Sequence, residues 1–203
     1  THAPRSAAAT GLVVGLAALL GCAAGPARAA AQESPLVAEA HVGVAAPVGS
    51  FANGSGAGEG AGPGLSFGVD FALPGGGRWT PYVGFAQHRF ACEDAGCAAG
   101  GRYVATGFHG GVRVALVTGH ALVPWVRAGA VSTRVEAGDL LGAGAVTELG
   151  IGGEAAAGVH IGAASQLAVN PSLRFVAVDT DLPGGPRLAM RYLVADVAVV
   201  LSF

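Results

Sequence analysis

The sequence predicts an all-β fold: an eight-stranded antiparallel up-and-down transmembrane β-barrel. Three observations favour it: apolar and polar residues alternate along several runs, the connections between runs alternate in length, and the chain is apolar without a long apolar run. Charged residues make up 12% of the 203 residues and mean hydropathy is +0.54, whereas soluble domains carry about 25% charged residues. After residue 21 no stretch has the roughly 18 apolar residues that a membrane helix needs. Strands with one lipid face and one inner face account for both facts.

Eight strand-like runs follow residue 36, and alternation with a period of two identifies them. Their predicted bounds are residues 37–45, 64–73, 79–90, 102–117, 121–136, 147–162, 166–179 and 188–203. The last run is the clearest, because one face is wholly apolar: Leu193, Ala195, Val197, Val199, Leu201 and Phe203. The third, fifth and sixth runs contain several glycines and alanines, so the sequence shows less clearly which of their residues face the lipid and which face the lumen.

The connections between the runs alternate in length. The short ones are predicted at residues 74–77, 118–120 and 163–165, and the longer ones at 47–63, 91–101, 137–146 and 180–187. Outer-membrane barrels combine short turns at one end with longer loops at the other, and an even strand number brings both chain ends to one side. A soluble sandwich gives no reason for this alternation.

The chain stops on Phe203 after apolar residues at every second position, and this strand resembles the C-terminal insertion signal of bacterial outer-membrane β-barrels. Together with the strand count and the loop lengths, residues 36–203 resemble the eight-stranded barrels of the OmpA transmembrane-domain type. The resemblance implies a bacterial outer-membrane location, outer-membrane lipids and the barrel-insertion machinery as partners, and an insertion signal that includes Leu201 and Phe203. It names no extracellular ligand for the loops.

The N-terminal segment reads as an export signal, so we expect a signal peptide over residues 1–31 and the barrel domain over residues 32–203. Arg5 supplies a positive start, residues 11–21 form a short apolar core, and residues 27–31 offer two A-x-A cleavage sites. A lipoprotein signal with a lipidated Cys22 is the alternative.

Nine ionisable residues share the predicted inward parity and form a candidate lumen network. An eight-stranded barrel is just wide enough for side chains to fill it, and a charge buried there needs a partner. We therefore expect a structural network inside the barrel; a gated narrow pore is the alternative. The members are Glu39, His41, Asp70, His109, Arg113, Glu154, His160, Arg174 and Asp196.

Other candidate sites are weaker. Cys92 and Cys97 are expected to form a disulfide in an exported chain, and they lack the second ligand pair of a metal site. Residues 150–155 fit G-x-G-x-x-A, but no helical pattern follows, so no cofactor is expected. The net charge of −2 gives no reason to expect nucleic acid.

Some barrels of this size modify lipid A, and their chemistry needs a hydroxyl beside a histidine and an acid. The pairs His160 with Ser165 and Ser132 with Glu136 meet this only weakly, so we expect a structural or surface-interaction protein with no chemistry of its own, and a narrow, porin-like channel as the alternative. Aromatic girdles are expected at both membrane boundaries. The candidates are Phe71, Trp79, Trp125 and Phe203 on the periplasmic side, and Phe51, Phe90 and Tyr103 on the outer side.

Overall fold

The computed structural model of the chain describes residues 36–53, 60–73, 77–93, 101–138, 145–162, 167–181 and 187–203. No helix in these ranges is long and apolar enough to cross a membrane. The elements are β1 (Val37–Pro47), α1 (Ser50–Asn53), β2 (Ala61–Ala72), β3 (Trp79–Cys92), β4 (Arg102–Ala115), β5 (Leu122–Gly138), β6 (Ala145–Val146), β7 (Gly150–Ile161), β8 (Leu167–Asp181) and β9 (Arg187–Ser202).

Eight strands close into an antiparallel barrel in which consecutive strands pair and the first strand also pairs with the last. The order runs β4-β3-β2-β1-β9-β8-β7-β5, and the pairing of β4 with β5 closes the ring. β1 therefore pairs with both β2 and the last strand, β9. The two-residue β6 pairs with the end of β5 and adds no strand to the ring. The predicted eight-stranded up-and-down barrel is confirmed.

Both ends of the barrel segment lie at one end of the barrel, which we call the terminal end. Val37 is opposite Ser202, and the Phe203 amide donates to the Leu36 carbonyl over 3.1 Å. The strand ends joined from β2 to β3, from β4 to β5 and from β7 to β8 lie there, and the strand ends joined by the other connections lie at the opposite end, the loop end.

One predicted long loop is short in the structure. β8 and β9 pair as far as Asp181 and Arg187, which leaves only residues 182–186 between them. Asp179 links these two strands on the outer face of the barrel. Its carboxylate accepts from Arg187 at 3.0 Å and from Arg191 at 2.9 Å.

The outer surface of the barrel is apolar. Large side chains such as Val42, Phe108 and Ile151 are 64%, 65% and 72% exposed. A contiguous apolar surface of this kind favours aggregation in water, whereas in a bilayer it is the face that meets lipid. Phe71, Trp79 and Phe203 lie on this outer face at the terminal end.

The other girdle predictions are wrong, because four aromatic side chains point into the barrel. Trp125 is 3% exposed, and its ring lies in the space left by Gly158 on the neighbouring strand. Phe90 and Tyr103 are buried at the loop end, and Phe51 of α1 is packed against them. Trp125 follows the parity of Arg127 on β5, and the small residues of that strand obscure this parity in the sequence.

Candidate functional site

The barrel interior is divided into two halves of different chemistry. Side chains alternate across each strand, so every second residue points inward. In the terminal half these residues form a polar layer, which consists of Glu39, His41, Asp70, Tyr82, His109, Arg113, Arg127, Glu154, Asn170, Ser172, Arg174 and Asp196. In the loop half most of them form an apolar plug, which consists of Ala45, Phe51, Ala61, Phe90, Tyr103, Ala105, Val131, Val135, Val176, Val178, Leu188, Met190, Tyr192 and Val194. Ser66, His88 and Thr133 are buried polar side chains in the same half.

Arg174 lies at the boundary between the two halves and is 1% exposed. Its Nη2 is 2.5 Å from Asp196 Oδ2 and 3.2 Å from His41 Nδ1, and its Nη1 is 3.6 Å from Glu154 Oε2. Ser172 donates to the other oxygen of Asp196. One guanidinium thus joins side chains from β1, β7 and β9.

Arg127 connects opposite walls of the barrel. Its Nη1 is 2.6 Å from Asp70 Oδ2 on β2, and its Nη2 is 3.3 Å from Glu154 Oε1 on β7. The guanidinium lies 4.7 Å from the centre of the Tyr82 ring, and the Tyr82 hydroxyl donates to Glu154 Oε1 over 2.7 Å. Neither Arg127 nor Tyr82 is in the predicted network, although both have inward parity on β5 and β3.

Arg113 and Glu39 form a two-pronged ion pair from β4 to β1, with 2.7 Å between Nη2 and Oε2. The Arg113 guanidinium also lies 4.5 Å from the Trp125 ring centre. Asn170 extends this group towards the terminal end, because its amide donates to Glu39 over 3.3 Å and its oxygen lies 2.7 Å from His160 Nδ1. His160 is therefore joined to the network through Asn170, and it is only half-buried.

The remaining predicted members, His41 and His109, lie beside Asp70. His109 Nε2 is 2.6 Å and His41 Nε2 is 3.7 Å from Asp70 Oδ1. All nine candidate residues thus point into the barrel and have polar neighbours there. Buried charges need polar partners of this kind, because one unpaired charge in a low-dielectric interior is strongly destabilising.

The apolar plug closes the loop half. α1 folds over the mouth after Gly49, which has a φ of 64°, and places the Phe51 ring 5.2 Å from Phe90 and 5.7 Å from Tyr103. Tyr192 of β9 packs on Phe90 from the other side at 5.1 Å. Edge-to-face packing of this kind is favourable beyond the apolar area it buries.

The interior of the described barrel is filled by these side chains. The polar layer lines a cavity of about 10 Å³, which is close to the space of one water molecule. An arrangement of this kind stabilises a closed barrel; a water-filled path through it requires the plug and several ion pairs to move.

The other candidate sites are placed as follows. Ser132 points outward between Phe108 and Ile151, whereas His109 points inward, so the described residues give Ser132 no histidine partner. Residues 150–155 lie within β7, so the glycine pattern belongs to a strand. Cys92 ends β3, while Cys97, Ser165 and residues 1–31 lie outside the described residues. The disulfide and the signal peptide stay predictions.

No family model matches the chain, and no curated protein matches it. Among solved structures, the chain is similar to Neisserial surface protein A, with a TM-score of 0.63, 14% identity, and coverage of 84% of this chain and 98% of that one. The outer membrane protein AlkL gives a TM-score of 0.48 at 13% identity, with coverage of 88% and 92%. Ail of Yersinia pestis gives 0.44 at 12% identity, with coverage of 84% and 100%. The chain has the fold of the eight-stranded outer-membrane β-barrels.

Proposed function

We propose that this protein is a closed β-barrel of the bacterial outer membrane, with a structural or surface-interaction role and no chemistry of its own. The observation that carries the proposal is the filled interior: an ion-paired layer in one half, an apolar plug in the other, and about 10 Å³ of open space in the polar layer. A barrel closed in this way contacts partner macromolecules through its loops and lipids through its outer face.

The membrane setting is supported by the outer surface, where Val42, Phe108 and Ile151 are more than half exposed. The fold shared with Neisserial surface protein A supports the same setting. Residues 1–31 then act as the export signal, and β9 with Leu201 and Phe203 acts as the segment that the insertion machinery recognises. The terminal end faces the periplasm and the loop end faces outward.

Assembly in the outer membrane is tested with two neighbouring substitutions in β9. Phe203 is 63% exposed at the terminal end, whereas Ser202 is half-buried and has the opposite parity. Phe203→Ala should therefore reduce the amount of folded protein, measured as the heat-modifiable band of the outer-membrane fraction, more than the matched Ser202→Ala. Equal, wild-type levels for both variants contradict the insertion-signal role. A wild-type protein absent from that fraction contradicts the outer-membrane assignment.

Two other functions give distinct results. A narrow channel produces stepwise currents in planar bilayers, and a lipid-modifying barrel changes the mass of lipid A when the protein is expressed. The closed structural barrel produces neither effect.

A further inference from the structure

Three side chains with metal-binding atoms converge inside the polar layer. His41, Asp70 and His109 come from β1, β2 and β4, and one ligand atom from each lies within 4.8 Å of the other two. All three side chains are buried. Two imidazole nitrogens and one carboxylate oxygen are a common ligand set for zinc and related divalent ions.

Two glycines leave open the space where these atoms meet. A Cβ atom at Gly68 would lie 2.6 Å from His41 Nε2, and a Cβ at Gly84 would collide with Asp70 Oδ1 and lie 2.6 Å from His109 Nε2. Both glycines sit on inward positions of β2 and β3, where a larger residue would push the three ligand atoms apart.

His41 has an unused ligand atom that points into this space. Its Nε2 is buried and has no hydrogen-bond partner among the described residues, although Asp70 Oδ1 is only 3.7 Å away. A buried polar atom without a partner is destabilising in a low-dielectric interior. An ion between His41 and Asp70 would satisfy this nitrogen.

The charges of the polar layer favour a cation at the same place. Four carboxylates, those of Glu39, Asp70, Glu154 and Asp196, face only three guanidiniums, those of Arg113, Arg127 and Arg174. With neutral histidines the layer carries one excess negative charge. A bound cation offsets this charge inside the barrel, where solvent screening is weak.

We propose that His41 Nε2, Asp70 Oδ1 and His109 Nε2 bind a divalent transition-metal ion of the zinc class. Zinc binds nitrogen and oxygen ligands at about 2.0–2.2 Å, so the 2.6 Å contact between His109 and Asp70 lengthens by somewhat less than 1 Å. The cavity of about 10 Å³ that borders His41 and Asp70 supplies room for a water molecule as the fourth ligand.

The neighbouring side chains orient these ligands. Arg127 holds the second oxygen of Asp70 at 2.6 Å and leaves Oδ1 for the ion. With the ion on Nε2, the His41 proton resides on Nδ1 and is directed to Asp196 Oδ2, which lies 3.8 Å away. Arg174 then loses its contact with His41 Nδ1 but remains paired with Asp196 and Glu154. A carboxylate behind a ligating histidine is a common way to raise its basicity.

The test uses the protein refolded into detergent without metal and titrated with ZnCl₂ in competition with a chelator of known affinity, which measures both the zinc bound per chain and the affinity. His41→Gln and His109→Gln remove one ligand each. His88→Gln is the matched control, because His88 is equally buried in the same barrel but lies against Tyr192 and Phe90. His120→Gln controls for binding at an exposed histidine. The heat-dependent gel shift reports whether each variant folds.

The proposal predicts about one zinc per chain in the wild type and in both controls, and a loss of at least tenfold in affinity in the two ligand variants. Zinc-free wild type, unchanged binding in folded ligand variants, or loss of binding in the His120 variant overturns it. If neither ligand variant folds, wild-type NMR decides: zinc must shift the ring signals of His41 and His109 and leave those of His88 in place. Unchanged His41 and His109 signals also overturn the proposal.

Discussion

The polar layer and the apolar plug fill the same barrel with opposite chemistry. In the polar layer, each contact depends on a particular partner: Arg127 on Asp70 and Glu154, and Arg174 on Asp196. In the plug, aliphatic and aromatic side chains are packed around Phe51 and Phe90 without such pairs. Apolar burial stabilises roughly in proportion to area and tolerates swaps of similar volume. Loss of one buried charge leaves its partner unpaired.

The largest effect is expected from Arg174→Met, because it leaves Asp196 and Glu154 buried without their guanidinium. The free energy of unfolding should fall by about 3–5 kcal/mol, measured as a shift of the urea midpoint in detergent. Arg102→Met, at the exposed start of β4, is the matched control and should change it by less than about 0.5 kcal/mol. Equal midpoints for the two variants contradict a buried, paired Arg174.

A smaller loss is expected when the plug is truncated. Phe51→Ala removes a fully buried ring that contacts Phe90 and Tyr103, and a core Phe→Ala change costs about 3 kcal/mol or more when the whole site is rigid. α1 is a short element in a loop and can shift into the gap, so we expect about 2–3 kcal/mol. Phe51→Leu should recover most of the stability. A Leu variant as unstable as the Ala variant contradicts simple apolar packing.

The smallest effect is expected from Tyr82→Phe, which deletes only the hydroxyl that donates to Glu154. A hydrogen bond to a charged group contributes about 1.5–3 kcal/mol. Glu154 remains paired with Arg127 and Arg174 in this variant, so we expect the free energy of unfolding to fall by about 1.5 kcal/mol. The double variant with Arg127→Met measures the coupling of the two contacts. Strictly additive losses would argue against a connected polar layer.

The strands and their faces could be predicted because alternation is a local property of the chain. On β9, the apolar outward positions from Leu193 to Leu201 set the parity of Tyr192 and Asp196. On β3 the small residues Gly84 and Ala86 share the inward face with Tyr82, and on β5 glycine and alanine lie on both faces, so the inward parity of Tyr82, Trp125 and Arg127 is less visible in the sequence.

The pairing of charges across the lumen could not be predicted from the sequence. Arg113 meets Glu39, and Arg127 meets Asp70, across the lumen from strands that are not neighbours. Such contacts depend on the stagger and tilt of the closed barrel, which no local pattern encodes. The sequence does not predict α1 because this helix has four residues, too few to show a helical period.

We expect the two halves to close the barrel independently of each other, and conductance in planar bilayers tests this closure most directly. The wild type should give no stepwise current. Phe51→Ala should give none either, because the polar layer in the terminal half remains paired when the plug is truncated. Discrete channel openings of the folded wild-type protein would contradict a closed interior, and openings that arise only in the Phe51 variant would contradict closure by the polar layer.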